Sequence, residues 1–454
     1  MSIAVRSSSR VWGSRTTFVL ALAACAIGLG NIWRFSYLVG EYGGAPFLLV
    51  YLACLFLVAV PVLIAEIIIG SHGRADPVSA VLRASKRSQI SSLWVVLGWV
   101  AGFTAILVLA YYCVVAGWGL AYIPKMLGGA FADASATEVG LEFRDFLADP
   151  AQLIQWQTTF IVAVFAVSAL GIYRGLGLLF WFALPLTLVV LGVLIDFGLQ
   201  HGDIARAREF LFSVNYYDFT AQAVLVAMGQ AFYTLGIGMG VGIAFGAYAP
   251  DKQPIGRTVI AVAVFDTLVA LAAGLAIYPI LFSTNIEPAM GPGLMFVGLP
   301  YAFGNMPQGE LFGSLFFVLV SVVALASSVA LAEPGVSYLV ERMRLRRPVA
   351  ALCLGATVWM LALLCALSFN IWQDVHWIGE YTFFESLDVL TAQVLLPAVS
   401  FFTVLLVGYG LRREVLRVEM YRESKYFFLL WRVCLRYIAP PAILVISLAQ
   451  VIDL

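Results

Sequence analysis

The chain has 454 residues, of which 62% are hydrophobic and 11% charged, and its formal net charge is zero. Soluble globular proteins are nearer half apolar and a quarter charged, so this composition excludes an ordinary soluble domain. The balanced charge offers no basic face to nucleic acid, and the mean hydropathy of +0.96 indicates a protein that crosses a membrane repeatedly.

Eleven apolar segments, each long enough to cross a bilayer as a helix, follow one another along the chain. They predict an all-α membrane protein with eleven transmembrane helices in a single domain over residues 1–454. The segments lie at about 14–38, 44–70, 91–124, 156–173, 176–199, 218–248, 256–282, 309–340, 348–369, 384–410 and 426–452. Because eleven is odd, the two termini are predicted on opposite sides of the membrane.

Lysine and arginine are distributed unequally between the loops on the two sides. If the N-terminus is inside, nineteen of the 26 Lys and Arg residues lie in inside segments, and the outside loops hold Lys125, Arg144, Arg206 and Arg208. Positive loops stay cytoplasmic, so the N-terminus is predicted inside and the C-terminus outside. The six cysteines lie in apolar segments without metal or redox spacing, and no glycosylation sequence occurs, which favours a bacterial inner membrane.

The first and sixth segments carry glycine where a membrane helix is not expected to need it. The sequences are AIGLGN at 26–31 and TLGIGMGVG at 234–242. Unwound backbone is tolerated in a bilayer only where it lines a cavity; close helix packing on small residues is the alternative. The interruptions lie at equivalent places, in the first helix of each of two blocks of five helices. We therefore predict that helices 1 and 6 are unwound in mid-membrane, and that two inverted repeats (about 14–199 and 218–410) precede one extra helix (about 426–452).

Polar residues accompany both interruptions. Unwound backbone exposes carbonyl oxygens that bind a cation such as sodium, and Asn31 and Thr234 add neutral side-chain oxygens beside it. Asp266 lies inside the seventh segment, so it must face a cavity or a partner, unless it marks a helix end. Arg34 follows the first interruption by one turn. Its plausible counter-ion is Asp388; the alternative is that Arg34 extends to the outer interface.

Motifs along the whole chain resemble the neurotransmitter:sodium symporter family. They are AIGLGNIWRF at 26–35, GGAPFLLVYL at 43–52, GQAFYTLGIGMG at 229–240, FDTLVALAAGLAIYP at 265–279, ASSVALAEP at 326–334 and ESLDVLTAQVLLP at 385–397. The order is that of the family's helices, and the motif at 26–35 is highly specific. The resemblance is to the bacterial amino-acid transporter branch, with the leucine-transporter fold, in which eleven helices are typical.

The resemblance implies site residues. Sodium would be bound by Ala24, Ala26, Ile27, Asn31, Thr234, Asp266, Val323 and Ser327. Substrate would be bound by Cys25, Ala26, Gly28, Gly30, Val108, Tyr112, Tyr233, Thr234, Gly236, Met239, Ser327 and Leu331. Tyr112 would bond the substrate carboxylate, and Tyr233 would close over it. Arg34 and Asp388 would form the outer gate, and Trp12, Tyr248 and Glu341 the inner gate, with Arg10 as the partner of Glu341.

Two departures from the family pattern bear on the ions. Ala326 stands where the family has Thr or Asp, so the second sodium site lacks one oxygen, which Ser328 could replace only if the local register shifts. Asp266 stands where Asn is common, and Ala270 where animal relatives have a chloride-binding Ser. A fixed carboxylate beside sodium supplies the charge that chloride supplies there, so we expect chloride independence.

The implied function is sodium-coupled symport of a neutral, hydrophobic or aromatic amino acid. Gly28 leaves no acid for a substrate amine, and the side-chain pocket of Val108, Met239 and Leu331 is apolar. No catalytic residues, cofactor, nucleic acid or protein partner is expected; sodium is the coupling ion. A sodium-independent or proton-coupled carrier, favoured by Ala326, and a non-transporting amino-acid sensor on the same fold remain as alternatives.

Overall fold

The computed structural model describes residues 12–214, 219–251, 253–285 and 293–452, and this part of the chain folds into helices. In chain order they are α1 Arg15–Ala26, α2 Gly30–Glu41, α3 Ala45–Gly73, α4 Pro77–Arg87, α5 Ser92–Leu127, α6 Ala136–Ala148, α7 Pro150–Ala169, α8 Ile172–His201, α9 Ile204–Phe212, α10 Ala221–Thr234, α11 Val241–Ala247, α12 Ile255–Ser283, α13 Leu294–Gly304, α14 Gly309–Glu341, α15 Arg347–Leu367, α16 Phe383–Gly410, α17 Arg413–Glu419 and α18 Lys425–Ala449.

Nine of these helices are long and apolar enough to cross a membrane: α3, α5, α7, α8, α12, α14, α15, α16 and α18. Helices α1 and α2 pass the same test together, bent by 60° at the break between them, which brings the number within the described residues to ten. The predicted segment at 218–248 consists of two shorter helices, α10 and α11. An all-helical membrane protein is therefore confirmed, and the two segments that are not single long helices are the two with glycine interruptions.

Local backbone geometry explains where these short helices end. The Ser14 side chain caps the start of α1 by accepting a hydrogen bond from the Thr17 N–H at 3.1 Å. Ile27 turns to an extended conformation (φ −69°, ψ 107°), which ends α1. After α10, Gly236, Gly238 and Gly240 have φ of +61°, +84° and +67°, a region that L side chains avoid, so the chain leaves the helix.

Packing of the long helices puts both breaks inside the protein. The two longest described helices, α5 and α14, lie along each other, and α12 packs along α8. Helix α1 packs against α8, α12 and α14, while α11 packs against the second half of α3. The non-helical backbone of both breaks therefore lies among helices and not at the lipid surface, as membrane-embedded irregular backbone requires.

The glycine at 238 allows a direct test of this geometry. We expect Gly238→Ala to destabilise the protein by about 1–3 kcal/mol, because residue 238 has positive φ and an added Cβ would lie 2.8 Å from the Leu396 carbonyl oxygen. The matched control is Gly192→Ala within α8, where an added Cβ meets no atom within 4 Å, so stability should hold or rise. Thermal unfolding of both variants in detergent measures the difference; equal melting temperatures would contradict the expectation.

Candidate functional site

A buried carboxylate joins the two breaks. Asp266 of α12 is fully buried, and its Oδ1 accepts a hydrogen bond from the Asn31 Nδ2 at 2.7 Å. Its Oδ2 accepts from the Thr234 hydroxyl at 2.6 Å. Within the described residues no basic side chain is among the groups that act on this carboxylate. A buried carboxylate whose hydrogen-bond donors are all neutral keeps an unbalanced negative charge. Such a group fits a bound cation.

The backbone of the first break is held by side chains. The Asn31 Oδ1 accepts from the Gly28 N–H at 3.0 Å, and the Tyr112 hydroxyl oxygen accepts from the Leu29 N–H at 3.2 Å. Because the Tyr112 oxygen accepts this bond, its own proton can be donated to a ligand carboxylate. The sequence-predicted residues Asn31, Tyr112, Thr234 and Asp266 are thus brought together at one place.

A second cluster of oxygens surrounds Ser327 of α14. Its hydroxyl lies 2.9 Å from the Ile27 carbonyl oxygen, 3.2 Å from that of Val323 and 3.5 Å from that of Ala24. Ala24, Ile27, Val323 and Ser327 are four of the predicted sodium residues, and the family resemblance assigns them to the second sodium site. One hydroxyl proton cannot satisfy three carbonyls, so a small cation fits the remaining lone pairs. Ala326 is buried and adds no oxygen, while the Ser328 hydroxyl is buried without a hydrogen-bond partner among the described residues.

Some of the predicted substrate residues lie close to one another at the two breaks. An added Cβ on Gly28 would lie 3.4 Å from the Tyr112 hydroxyl and 3.5 Å from the Ser327 hydroxyl, and one on Gly236 would lie 3.8 Å from the Cys25 sulfur. An added Cβ on Gly30 would meet nothing within 4 Å, so space is open there. The predicted side-chain residues Val108, Met239 and Leu331 are buried and apolar. Backbone of the first break therefore lies next to the Tyr112 and Ser327 hydroxyls, and backbone of the second break lies next to Cys25 of α1.

On the side of the membrane opposite the N-terminus, Tyr233 lies between the two predicted gate charges. The Arg34 guanidinium lies 5.0 Å from the centre of the Tyr233 ring, and the Tyr233 hydroxyl donates to Asp388 Oδ1 at 3.4 Å. Arg34 and Asp388, both described and both exposed, form no direct ion pair with each other. The predicted pair is therefore linked through a phenol in this structure. Tyr111 extends the link, with its hydroxyl 3.2 Å from that of Tyr233.

On the N-terminal side, Trp12 packs against the end of α11. Trp12 is 2% exposed, its backbone N–H donates to the Tyr248 carbonyl at 3.0 Å, and the two rings are 6.3 Å apart between their centres. The Tyr248 hydroxyl donates to Glu333 at 2.8 Å. Glu341 Oε2 accepts from the Asp76 N–H at 2.9 Å, and its predicted partner Arg10 lies outside the described residues. A cavity of about 610 Å³ opens on this side beside Tyr248, Ser337, Glu341 and Arg347.

Two buried acids at this site were missed by the sequence reasoning. Glu66 of α3 is fully buried, and its Oε1 accepts from the Gly238 N–H at 2.8 Å, so it holds the second break. Glu333 of α14 is fully buried and bound by both terminal nitrogens of Arg347. The signal that could have found them is the one that found Asp266, namely an acid within an apolar segment.

Comparison with known proteins agrees with this architecture. A sequence model of the sodium:neurotransmitter symporter family matches residues 9–138 and 141–454. A sodium-dependent transporter of Bacillus subtilis, YhdH, is 31% identical over 440 residues, covering 96% of each chain. A sodium- and chloride-dependent betaine transporter of Caenorhabditis elegans is 24% identical, covering 90% of this chain and 75% of its own.

A solved structure is similar over nearly the whole fold. The crystal structure of MhsT in complex with L-phenylalanine shares 34% sequence identity with this chain, at a TM-score of 0.87 over 97% of this chain and 99% of MhsT. The resemblance that the motifs indicated is confirmed, and the protein is a membrane transporter and not an enzyme. The chain belongs to the sodium:neurotransmitter symporter family.

Proposed function

We propose that the protein imports a neutral, hydrophobic or aromatic amino acid together with sodium, and that it does so without chloride. It lies in a bacterial inner membrane with eleven spans, α1 with α2 and α10 with α11 each making one. The N-terminal side is cytoplasmic, which makes Trp12, Tyr248 and Glu341 the inner gate. The observation that carries the proposal is the Asp266 carboxylate, buried between both breaks with only neutral hydrogen-bond donors.

Sodium at Asp266 would be completed by the carboxylate of the substrate itself. The Ala26 carbonyl, Asn31, Thr234 and Asp266 supply the protein oxygens, and Tyr112 donates to the substrate carboxylate from the other side. Sodium and substrate then share a coordination shell, so each raises the affinity of the other by the same factor. That reciprocity couples the sodium gradient to uptake, because neither ligand alone favours closure as well as both together.

The chemistry of the predicted substrate residues supports the substrate class. Gly28 has no carboxylate to bind an amine, and Val108, Met239 and Leu331 are buried and apolar, which suits an apolar side chain. The relative MhsT was crystallised with L-phenylalanine, and its fold is closely similar to this one. Since each methylene in an apolar pocket contributes only about 1–3 kcal/mol, we expect modest discrimination among large apolar amino acids.

Chloride independence follows from the fixed charge of Asp266. The betaine transporter of Caenorhabditis elegans is named as chloride-dependent, whereas here a carboxylate already neutralises the first sodium. We expect uptake into proteoliposomes to be unchanged when chloride is replaced by gluconate. Loss of uptake in gluconate, with sodium held constant, would show that the carboxylate does not replace the anion.

The decisive experiment is a screen of the twenty amino acids by thermal shift, with and without sodium. A ligand at a hundredfold excess over its dissociation constant stabilises the native state by about 2.7 kcal/mol. We expect stabilisation by large apolar amino acids in sodium and little in potassium. If the stabilisation by the amino acid does not depend on sodium but changes with pH, the proton-coupled alternative is favoured. Sodium-dependent binding without counterflow in proteoliposomes would identify a sensor.

Substitution of Ser327 tests whether the oxygens around it bind a second sodium ion. We expect Ser327→Ala to raise the sodium concentration for half-maximal substrate binding by roughly tenfold, because one hydroxyl ligand among four oxygens is lost. Ser314→Ala is the matched control, since this buried serine of the same helix donates to the Glu310 and Leu311 carbonyls of its own helix, and it should change that concentration less than about twofold. If the two variants have equal effects, the Ser327 hydroxyl is not a sodium ligand.

A further inference from the structure

Three arginines converge where α16, α17 and α18 meet, away from the site described above. Arg432 and Arg436 lie one turn apart within α18, and Arg413 begins α17. The Arg436 Nε donates to the Gly408 carbonyl at the end of α16, and its guanidinium lies 5.3 Å from the centre of the Tyr409 ring. The Arg413 guanidinium lies 6.0 Å from the centre of the Phe428 ring, one turn before Arg432 on α18.

These three charges are poorly compensated within the described part of the chain. No ion pair within 4.0 Å joins any of them to a carboxylate there. The Arg432 Nε is buried and has no hydrogen-bond partner in that same part of the chain. Three positive charges held close together repel one another, and the unpaired Arg432 N–H adds the cost of an unsatisfied buried donor. An anion from outside the protein would offset both costs.

The surroundings of the three arginines indicate where that anion comes from. Apolar and aromatic side chains flank them on the same helices and are exposed: Tyr409 by 53%, Val433 by 39% and Tyr437 by 67%. Both α16 and α18 are helices that can cross the membrane, and the group lies at the level of Gly408 to Arg413, where α16 ends. A charged group beside an exposed apolar face at a helix end matches a lipid headgroup above its acyl chains.

We propose that Arg413, Arg432 and Arg436 bind the phosphate of an anionic phospholipid in the leaflet on the N-terminal side, which is the inner leaflet in the proposed orientation. Guanidinium groups suit this ligand because their planar N–H pairs bind two phosphate oxygens at once. Acyl chains lie along Val433 and Tyr437. The lipid site uses no residue of the sodium or amino-acid region, so the lipid proposal and the proposed substrate can be tested independently.

The test measures lipid binding to the purified full-length protein by native mass spectrometry in non-ionic detergent. Dioleoyl phosphatidylglycerol is titrated, with dioleoyl phosphatidylcholine and inorganic phosphate as separate arms. We expect Arg432→Gln/Arg436→Gln to weaken phosphatidylglycerol binding at least tenfold. The matched control, Arg344→Gln/Arg346→Gln, removes two exposed arginines from the same side of the membrane and should change the affinity less than twofold.

Each remaining outcome decides against the lipid site. Equal weakening in both variant pairs would mean attraction to general surface charge, and no weakening would mean that the lipid binds elsewhere. Equal affinity for phosphatidylcholine would remove the anionic requirement, and displacement of phosphatidylglycerol by millimolar inorganic phosphate would identify a free-phosphate site. If the glutamine pair does not fold, Arg432→Lys/Arg436→Lys keeps both charges and should still bind at least threefold more weakly; unchanged affinity in it overturns the bidentate contact.

Discussion

Replacing Asp266 by asparagine is expected to raise the sodium concentration for half-maximal amino-acid binding by at least about a hundredfold. The change keeps the shape of the side chain and removes its charge. Two unit charges about 4 Å apart attract by roughly 4 kcal/mol at an effective dielectric constant of 20, and part of this is offset by the lower cost of burying an amide. Binding of the best amino acid from the thermal-shift screen, titrated with sodium at constant ionic strength, measures the effect.

The control separates this effect from a general loss of negative charge. Asp145→Asn makes the same chemical change at an exposed residue of α6, whose carboxylate is 72% exposed, and should leave sodium dependence unaltered. The melting temperature without ligand shows whether each variant is folded. If Asp266→Asn is folded and its sodium requirement stays within threefold of the unaltered protein, the carboxylate is not a sodium ligand and the proposed coupling fails.

The glycine interruptions and Asp266 could be predicted because each violates a rule that a membrane imposes on sequence. Glycine at 236, 238 and 240 is unfavourable in an ordinary helix, and the structure has positive φ at all three. A carboxylate inside an apolar segment needs a partner, and Asp266 has Asn31 and Thr234. Such signals depend on composition and local order, so no knowledge of packing is needed to read them.

The contacts between distant segments could not be predicted in the same way. Arg34 and Asp388 were expected to pair directly, but whether Tyr233 lies between them depends on how α2, α10 and α16 meet. The partner of Glu66 could not be predicted, because it is a backbone N–H, at Gly238, which a sequence does not single out. The pairing of Arg347 with Glu333 could not be predicted either, since the depth of Glu333 becomes evident once α14 and α15 are packed together.

The pair of Glu333 and Arg347 leads to the largest expected effect on stability. Glu333 is fully buried, and Arg347 binds it with Nη1 at 3.0 Å from Oε1, while the Arg347 Nε donates to the Ser168 carbonyl at 2.7 Å. Removing the arginine leaves an uncompensated buried carboxylate, which typically costs 3–5 kcal/mol. We therefore expect Arg347→Met to lower the free energy of unfolding by about that amount, measured by thermal or denaturant unfolding in detergent.

A second substitution tests whether the buried charge is the cause. Glu333→Gln added to Arg347→Met removes the carboxylate that lost its partner, while the amide oxygen can still accept from the Tyr248 hydroxyl. We expect the double variant to recover more than half of the lost stability, because the penalty lies in the unpaired charge and not in lost volume. Arg346→Met changes the exposed neighbouring arginine and should be neutral. If the double variant is no more stable than Arg347→Met, the unpaired charge is not the cause of the loss, and Arg347 stabilises the protein through its other contacts, such as the one to the Ser168 carbonyl.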